Sequence, residues 1–153
     1  MHLHPNKILS VHPSHRLLSR SAVLLGIFWA LPLTLIGLLI AVPILLLRGR
    51  AYLVHDTTPA LLVRGPFADV LLARHPFGAM CAMAIGHVVI ADRHGLSRQI
   101  LTHELAHVHQ AARWGIVFPF AYCAASAWAV LRGRDAYWHN IFEIAARNAE
   151  QHM

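Results

Sequence analysis

Acidic residues are scarce in this 153-residue chain: there are seven, only three of them Glu, against thirteen Lys and Arg. Charged residues make up 13% and hydrophobic ones 57%, which is too apolar for a typical soluble domain and points to a membrane segment. Cysteine is equally sparse. Cys81 and Cys123 are the only two, so neither a disulfide framework nor a zinc knuckle can be built. Both lie among small apolar residues, where a free thiol is commonly buried. A single Lys accompanies twelve Arg. These basic residues stand singly or in pairs and never form a run interleaved with exposed aromatics, which argues against a nucleic-acid partner. Placed around apolar segments, they suit contact with anionic membrane lipid.

Charge is missing altogether from Ala22 to Leu47, twenty-six residues bounded by Arg20 on one side and Arg48 and Arg50 on the other. A bilayer core needs about 20 apolar residues in helix, so the run predicts one transmembrane helix, bent at Pro32 and Pro43. It is too long for a signal-peptide core and no small-residue cleavage pattern follows, so it reads as a retained anchor. Basic residues flank both ends, and the orientation rule assigns no side. Residues 1–21 form a polar basic flank with histidines at 2, 4, 12 and 15. Pro5 and Pro13 break any helix that would align those rings.

What the chain does have is H-E-x-x-H, in Leu101-Thr102-His103-Glu104-Leu105-Ala106-His107-Val108-His109-Gln110. Two histidines four apart on a helix lie on the same face, so both imidazoles reach one ion, and the adjacent glutamate can address a water there. A helix is predicted from an N-cap at Ser97 to Trp114, with Gly115 as its stop. Leu101, Leu105, Val108 and Ala112 form its apolar stripe, and His103, His107, Gln110 and Trp114 another face. His109 points elsewhere.

A catalytic zinc site needs a third protein ligand. The pattern H-E-x-x-H-x-x-G-x-x-H fails, because Gln110 stands at its Gly and Arg113 at its last His. Glu143, in Tyr137-Trp138-His139-Asn140-Ile141-Phe142-Glu143-Ile144-Ala145-Ala146-Arg147, remains as the candidate. The competing assignment is a capping box, Asn140 with Glu143, which would occupy the carboxylate with a backbone N–H.

H-E-L-A-H-V-H-Q, an aromatic and apolar stretch, and then E-x-x-A on a second helix resemble the gluzincin clan of zinc metallopeptidases. The likeness is greatest to small membrane-associated gluzincin-like proteins in which a Tyr and an Asn precede the Glu. It covers Gly86 to about Glu150. The resemblance implies that His103, His107 and Glu143 bind Zn2+ and that Glu104 is the general base. Many members carry an Asp directly after E-x-x-A, or nearby, that holds the first histidine; Arg147 follows the motif here and leaves the partner of His103 unassigned. Tyr137 and His139 are candidate donors to the oxyanion formed during catalysis.

The intervening segments give weaker signals. Leu61–Val63 and Val70–Ala73 suit short strands, or a strand and a turn of helix, broken by Gly65 and Pro66. Gly86–Ala91 reads as a strand turning into the histidine helix. In gluzincin-like folds such a strand lies at the sheet edge, where it pairs with an extended substrate or merely supports the helix. Ile116–Leu131 is apolar, but a full crossing there would strand Glu143 on the far side from His103 and His107. A helix buried in the domain or lying on the membrane surface is expected instead.

The expected fold is thus α+β and mainly helical: a minimal gluzincin-like zinc domain over 48–153 behind a transmembrane helix over 22–47. The expected function is a membrane-anchored zinc metallopeptidase acting on a peptide or protein substrate. The alternative is a non-catalytic membrane protein using zinc as a structural or interaction module.

Overall fold

The computed structural model describes residues 20–76 and 78–151, so the flank expected over 1–21 lies almost wholly outside them. The uncharged run does not form one helix. It folds as α1 (Arg20–Trp29) and α2 (Leu31–Leu46), bent by 65°. The bend falls where Pro32, in the first turn of α2, has no N–H with which to continue the ladder of α1. Pro43 sits inside α2 without ending it.

One face of α2, carrying Leu33, Gly37, Ala41 and Ile44, is buried. A Cβ at Gly37 would lie 2.6 Å from the Ile85 carbonyl oxygen, so the helix backbone is seated directly on the sheet. A single transmembrane helix standing apart from the domain is therefore not what forms. Small residues at Gly37 and Ala41 let the run become part of the core, while Leu39 and Leu46 on its outer surface stay more than 70% exposed.

Four strands form one mixed sheet: β1 (Arg50–Val54), β2 (Ala60–Arg64), β3 (Ala82–Ile85) and β4 (Val88–Ala91), in the order β1-β2-β4-β3. β1 and β2 are antiparallel, β2 and β4 parallel, and β4 and β3 antiparallel. The helix α3 (Pro66–Ala73) lies in the connection between β2 and β3. Every residue of β4 is buried, as expected of a continuous apolar strand covered on both faces. The strand expected at the sheet edge is thus interior, and β1 and β3 are the edges. The β3–β4 turn uses Gly86 at φ +59, where a Cβ would collide with Thr34 of α2.

Strand alternation divides the core in two. Val54, Leu62 and Val89 pack with Leu101, Leu105 and Val108 of the histidine helix. Val63, Val88 and Ile90 pack with Ala41 and Ile44 of α2 and Leu72 of α3. The sheet is the middle layer.

The histidine helix, α4 (Arg98–Trp114), starts as expected: Ser97 Oγ accepts the Ile100 N–H at 3.1 Å. Gly115, at φ +57, ends it. A turn of 3-10 helix (Gly115–Val117) leads into α5 (Phe118–Leu131), and α6 (Ile141–Gln151) packs back along α4. From Arg98 to Leu131 the helical run is long and apolar enough to cross a membrane by length and composition. α5 is not buried in the domain: Ala129 is its one buried residue, while Phe120 is 72% and Leu131 80% exposed. Both cysteines are free, and Cys123, on α5, is exposed rather than buried.

Candidate metal centre

α4 and α6 bring His103, His107 and Glu143 together, one ligand atom from each lying within 4.8 Å of the others. The two imidazole Nε2 atoms are 3.1 Å apart. His103 Nε2 is 3.2 Å from Glu143 Oε2, and His107 Nε2 is 3.2 Å from Glu143 Oε1. These closest approaches use both carboxylate oxygens, whereas the wider figure allows one atom per residue.

The outer ring nitrogens fix what the inner ones offer. His103 Nδ1 lies 2.6 Å from Glu150 Oε1, and His107 Nδ1 lies 2.9 Å from Gln110 Oε1. Both partners are acceptors, so in the neutral imidazoles Nδ1 carries the proton and Nε2 presents a lone pair inward. Two lone pairs and a carboxylate then face one point. Glu143 Oε2 is buried and lacks an aligned hydrogen bond. Like-signed acceptors in that arrangement repel unless a proton or a cation lies between them. A tetrahedron with zinc–nitrogen bonds of about 2.0–2.1 Å has edges of about 3.3–3.4 Å, close to the separations found. The donor set fits a zinc-type ion.

No family model, curated protein or solved structure matches this chain. The site stands on its own atoms.

Glu104 is buried on α4 and is not one of the three converging groups. Its carboxylate accepts the Ala84 N–H of the edge strand β3. Burial pushes its pKa up, against the pull of His107 and His103. Glu143 moves the other way: burial would raise it, but His103, His107 and the Tyr122 hydroxyl, which donates to Oε1 at 2.8 Å, hold it well below the usual carboxylate range. Burial lowers the basicity of both histidines, yet Glu143, with Glu150 at His103, outweighs it and raises them.

The capping box forms only in half. Asn140 Oδ1 accepts the Phe142 N–H at 2.9 Å, and Asn140 Nδ2 donates to the Tyr122 carbonyl and Ser126 Oγ, tying α6 to α5. Glu143 is left free to turn toward the histidines.

Arg147 takes another task. It donates to the Trp138 carbonyl at 2.6 Å and lies over the Tyr137 and Trp138 rings, pinning the loop before α6. Glu150 does what the expected Asp would do for His103, and Gln99 Nε2 in turn donates to Glu150 Oε2 at 2.7 Å. Tyr137 reaches the site: partial burial and then the charge of Glu143 push its phenol up to about 12. His139 is not brought to the three ligands; it is exposed and interacts with Asp135.

Sequence reasoning missed Glu150, Gln110 and Tyr122 in these roles. A signal existed for two of them. Glu150 is seven residues after Glu143, two helical turns along the same face, and Gln110 is three after His107.

Proposed function

We propose that this protein is a membrane-attached zinc hydrolase of the metallopeptidase type, resembling gluzincins. One observation carries the reading: three donors converge, and a fourth group, Glu104, stays buried beside them without joining. His103, His107 and Glu143 would hold the ion. Zinc bound there would polarise a scissile carbonyl and acidify a water.

Glu104, its pKa raised by burial, takes a proton from water and returns it to the leaving amine. Its hydrogen bond to Ala84 fixes the carboxylate against β3. That strand's free edge offers backbone groups to an extended peptide. Tyr137, a phenol still protonated at neutral pH, donates to the oxyanion; it is preferred to His139, which faces Asp135. The exposed apolar surfaces of α1, α2 and α5 support attachment to a bilayer, since patches of that extent are otherwise kept from water.

A second reading, zinc as a structural clip, is favoured by burial alone: His103 is 9% and Glu143 3% exposed. Zinc content and peptide cleavage of the detergent-purified protein separate the two. Glu143→Gln should lose zinc. Glu104→Gln should keep zinc and lose about 10²- to 10⁴-fold in rate if the protein is an enzyme, and change nothing measurable if the ion is a clip. Zinc released by Glu104→Gln and retained by Glu143→Gln would overturn the assignment of roles.

A further inference from the structure

The end of the sheet at which β2 and β4 finish holds a second polar site that the hydrolase reading does not use. A recess of about 340 Å3 is lined by Arg48, Arg50, Tyr52, Arg64, Gly65 and Arg93 among others. Four of the twelve arginines in the chain therefore share one cavity. They arrive from four places: the end of α2, the start of β1, the end of β2 and the loop after β4. Arg50 and Arg64 are directly opposed in the β1–β2 register. Like charges facing each other across strands are destabilising, so this pairing calls for a counter-charge.

Two of the four are already positioned. Arg64 Nε donates to the Asp92 carbonyl at 2.8 Å, and Arg93 Nε to Asp69 Oδ2 at 2.7 Å. Anchoring at Nε leaves the paired outer nitrogens of each guanidinium available for a planar, two-pronged contact. The Arg48 and Arg50 side chains have no hydrogen-bond or ion-pair partner among the described residues. Arg48 also adopts φ +67, a left-handed conformation that costs a non-glycine residue energy. Among the described residues, Asp69, already committed to Arg93, is the one carboxylate paired with these arginines.

The backbone adds to this. The parallel strands β2 and β4 both end at the recess, and α3 starts there, with Gly65 as its N-cap. A strand running into a helix N-terminus through a Gly-Pro turn directs peptide N–H groups and the positive end of the helix at whatever lies beyond the strand. A Cβ at Gly65 would come within 2.7 Å of Gly49, so the recess floor is backbone pressed on backbone.

We infer that the Arg48, Arg50, Arg64 and Arg93 recess binds a phosphate-bearing anion, with the guanidiniums forking its oxygens and the Tyr52 hydroxyl completing the lining. The inference is independent of the metal site. Soluble phosphate and a lipid phosphate have the same recognition chemistry, and the recess follows directly on the exposed Leu46 and Leu47 at the end of α2.

Two probes distinguish the sources, both on the full-length protein: inorganic phosphate followed by thermal shift and titration calorimetry, and flotation with vesicles of phosphatidylcholine alone or mixed with phosphatidylglycerol. The test variant is Arg48→Gln with Arg50→Gln, whose side chains hold nothing in the fold. The control is Arg74→Gln with Arg134→Gln, exposed arginines elsewhere with the same change in charge. Wild type should bind one of the two probes, the test variant should lose about ten-fold for each guanidinium removed, and the control should match wild type. Arg50→Lys, which keeps the charge but not the fork, should fall between wild type and Arg50→Gln. Phosphate binding assigns the soluble source, and selective flotation with the anionic vesicles the lipid. Equal losses in test and control variants, or no binding of either probe by wild type, would overturn the inference.

Discussion

The two polar ends of this small sheet are built on opposite plans. At the β3 edge, three carboxylates and two imidazoles are crowded together, and almost every outer atom is tied: His103 to Glu150, His107 to Gln110, Glu143 to Tyr122, and Glu104 to Ala84. At the β1–β2 end, four guanidiniums gather with one carboxylate among them. The first presents inward lone pairs backed by a supporting shell, a set that suits a cation; the second presents guanidiniums, a set that suits an anion. Concentrated polar groups at both ends, in a chain with so few charged residues, are what the two binding proposals rest on.

The largest effect that would test this contrast is at Glu150. If it orients His103 by accepting from Nδ1, Glu150→Gln should weaken zinc affinity by about 10- to 100-fold. Competition with a chromogenic chelator measures it. An unchanged affinity would mean that the metal end is not over-determined after all.

Acidity provides the next test. In metal-free protein, His103 and His107 sit above the ordinary imidazole pKa, so their contribution to stability is complete below that value and fades as pH rises through the folded one. Glu143 sits below the ordinary carboxylate value, so its contribution is complete above that value and is lost as pH falls through the folded one. Metal-free protein should therefore be most stable between the carboxylate and imidazole ranges. Zinc should reverse the upper trend, because protons cease to compete for the nitrogens as pH rises. Thermal unfolding across pH with and without chelator gives both curves; parallel curves would contradict the assignment.

The smallest effect belongs to the arginine end. In phosphate-free buffer, Arg50→Gln should raise stability by about 0.2–1 kcal/mol by relieving the repulsion from Arg64. Urea denaturation with matched slopes would detect it. A loss of stability would show that Arg50 already has its counter-charge.

Legibility from sequence followed the range of the interactions. The histidine helix, its Ser97 cap and its Gly115 end were readable because capping and the i, i+4 spacing are local. The pairing of Glu143 with the histidines could be anticipated from the motif, but the shell that holds it could not. Tyr122 and Gln110 are ordinary polar residues until α5 and α6 dock. The sheet misled for the same reason: Val88–Ala91 has the composition of a strand, but its interior position depends on β2 and β3 flanking it. The arginines looked scattered because Arg50 and Arg64 meet only through the hairpin register, and Arg93 only through the parallel pairing of β2 with β4. The uncharged run misled differently, since hydropathy does not register Gly37 and Ala41 as a seat for the sheet.

The wide separation of the ligands in the chain sets an order of events during synthesis. Two donors come from α4, and the third arrives only after α5 and its following loop, on α6. A nascent chain extending as far as Leu131 holds two imidazoles on one face and neither Glu143 nor Glu150. Such a chain can capture an ion only weakly and reversibly. If the triad holds an ion, firm uptake would begin only when α6 leaves the ribosome and closes on α4, so loading with metal would report that α6 has been made and has docked.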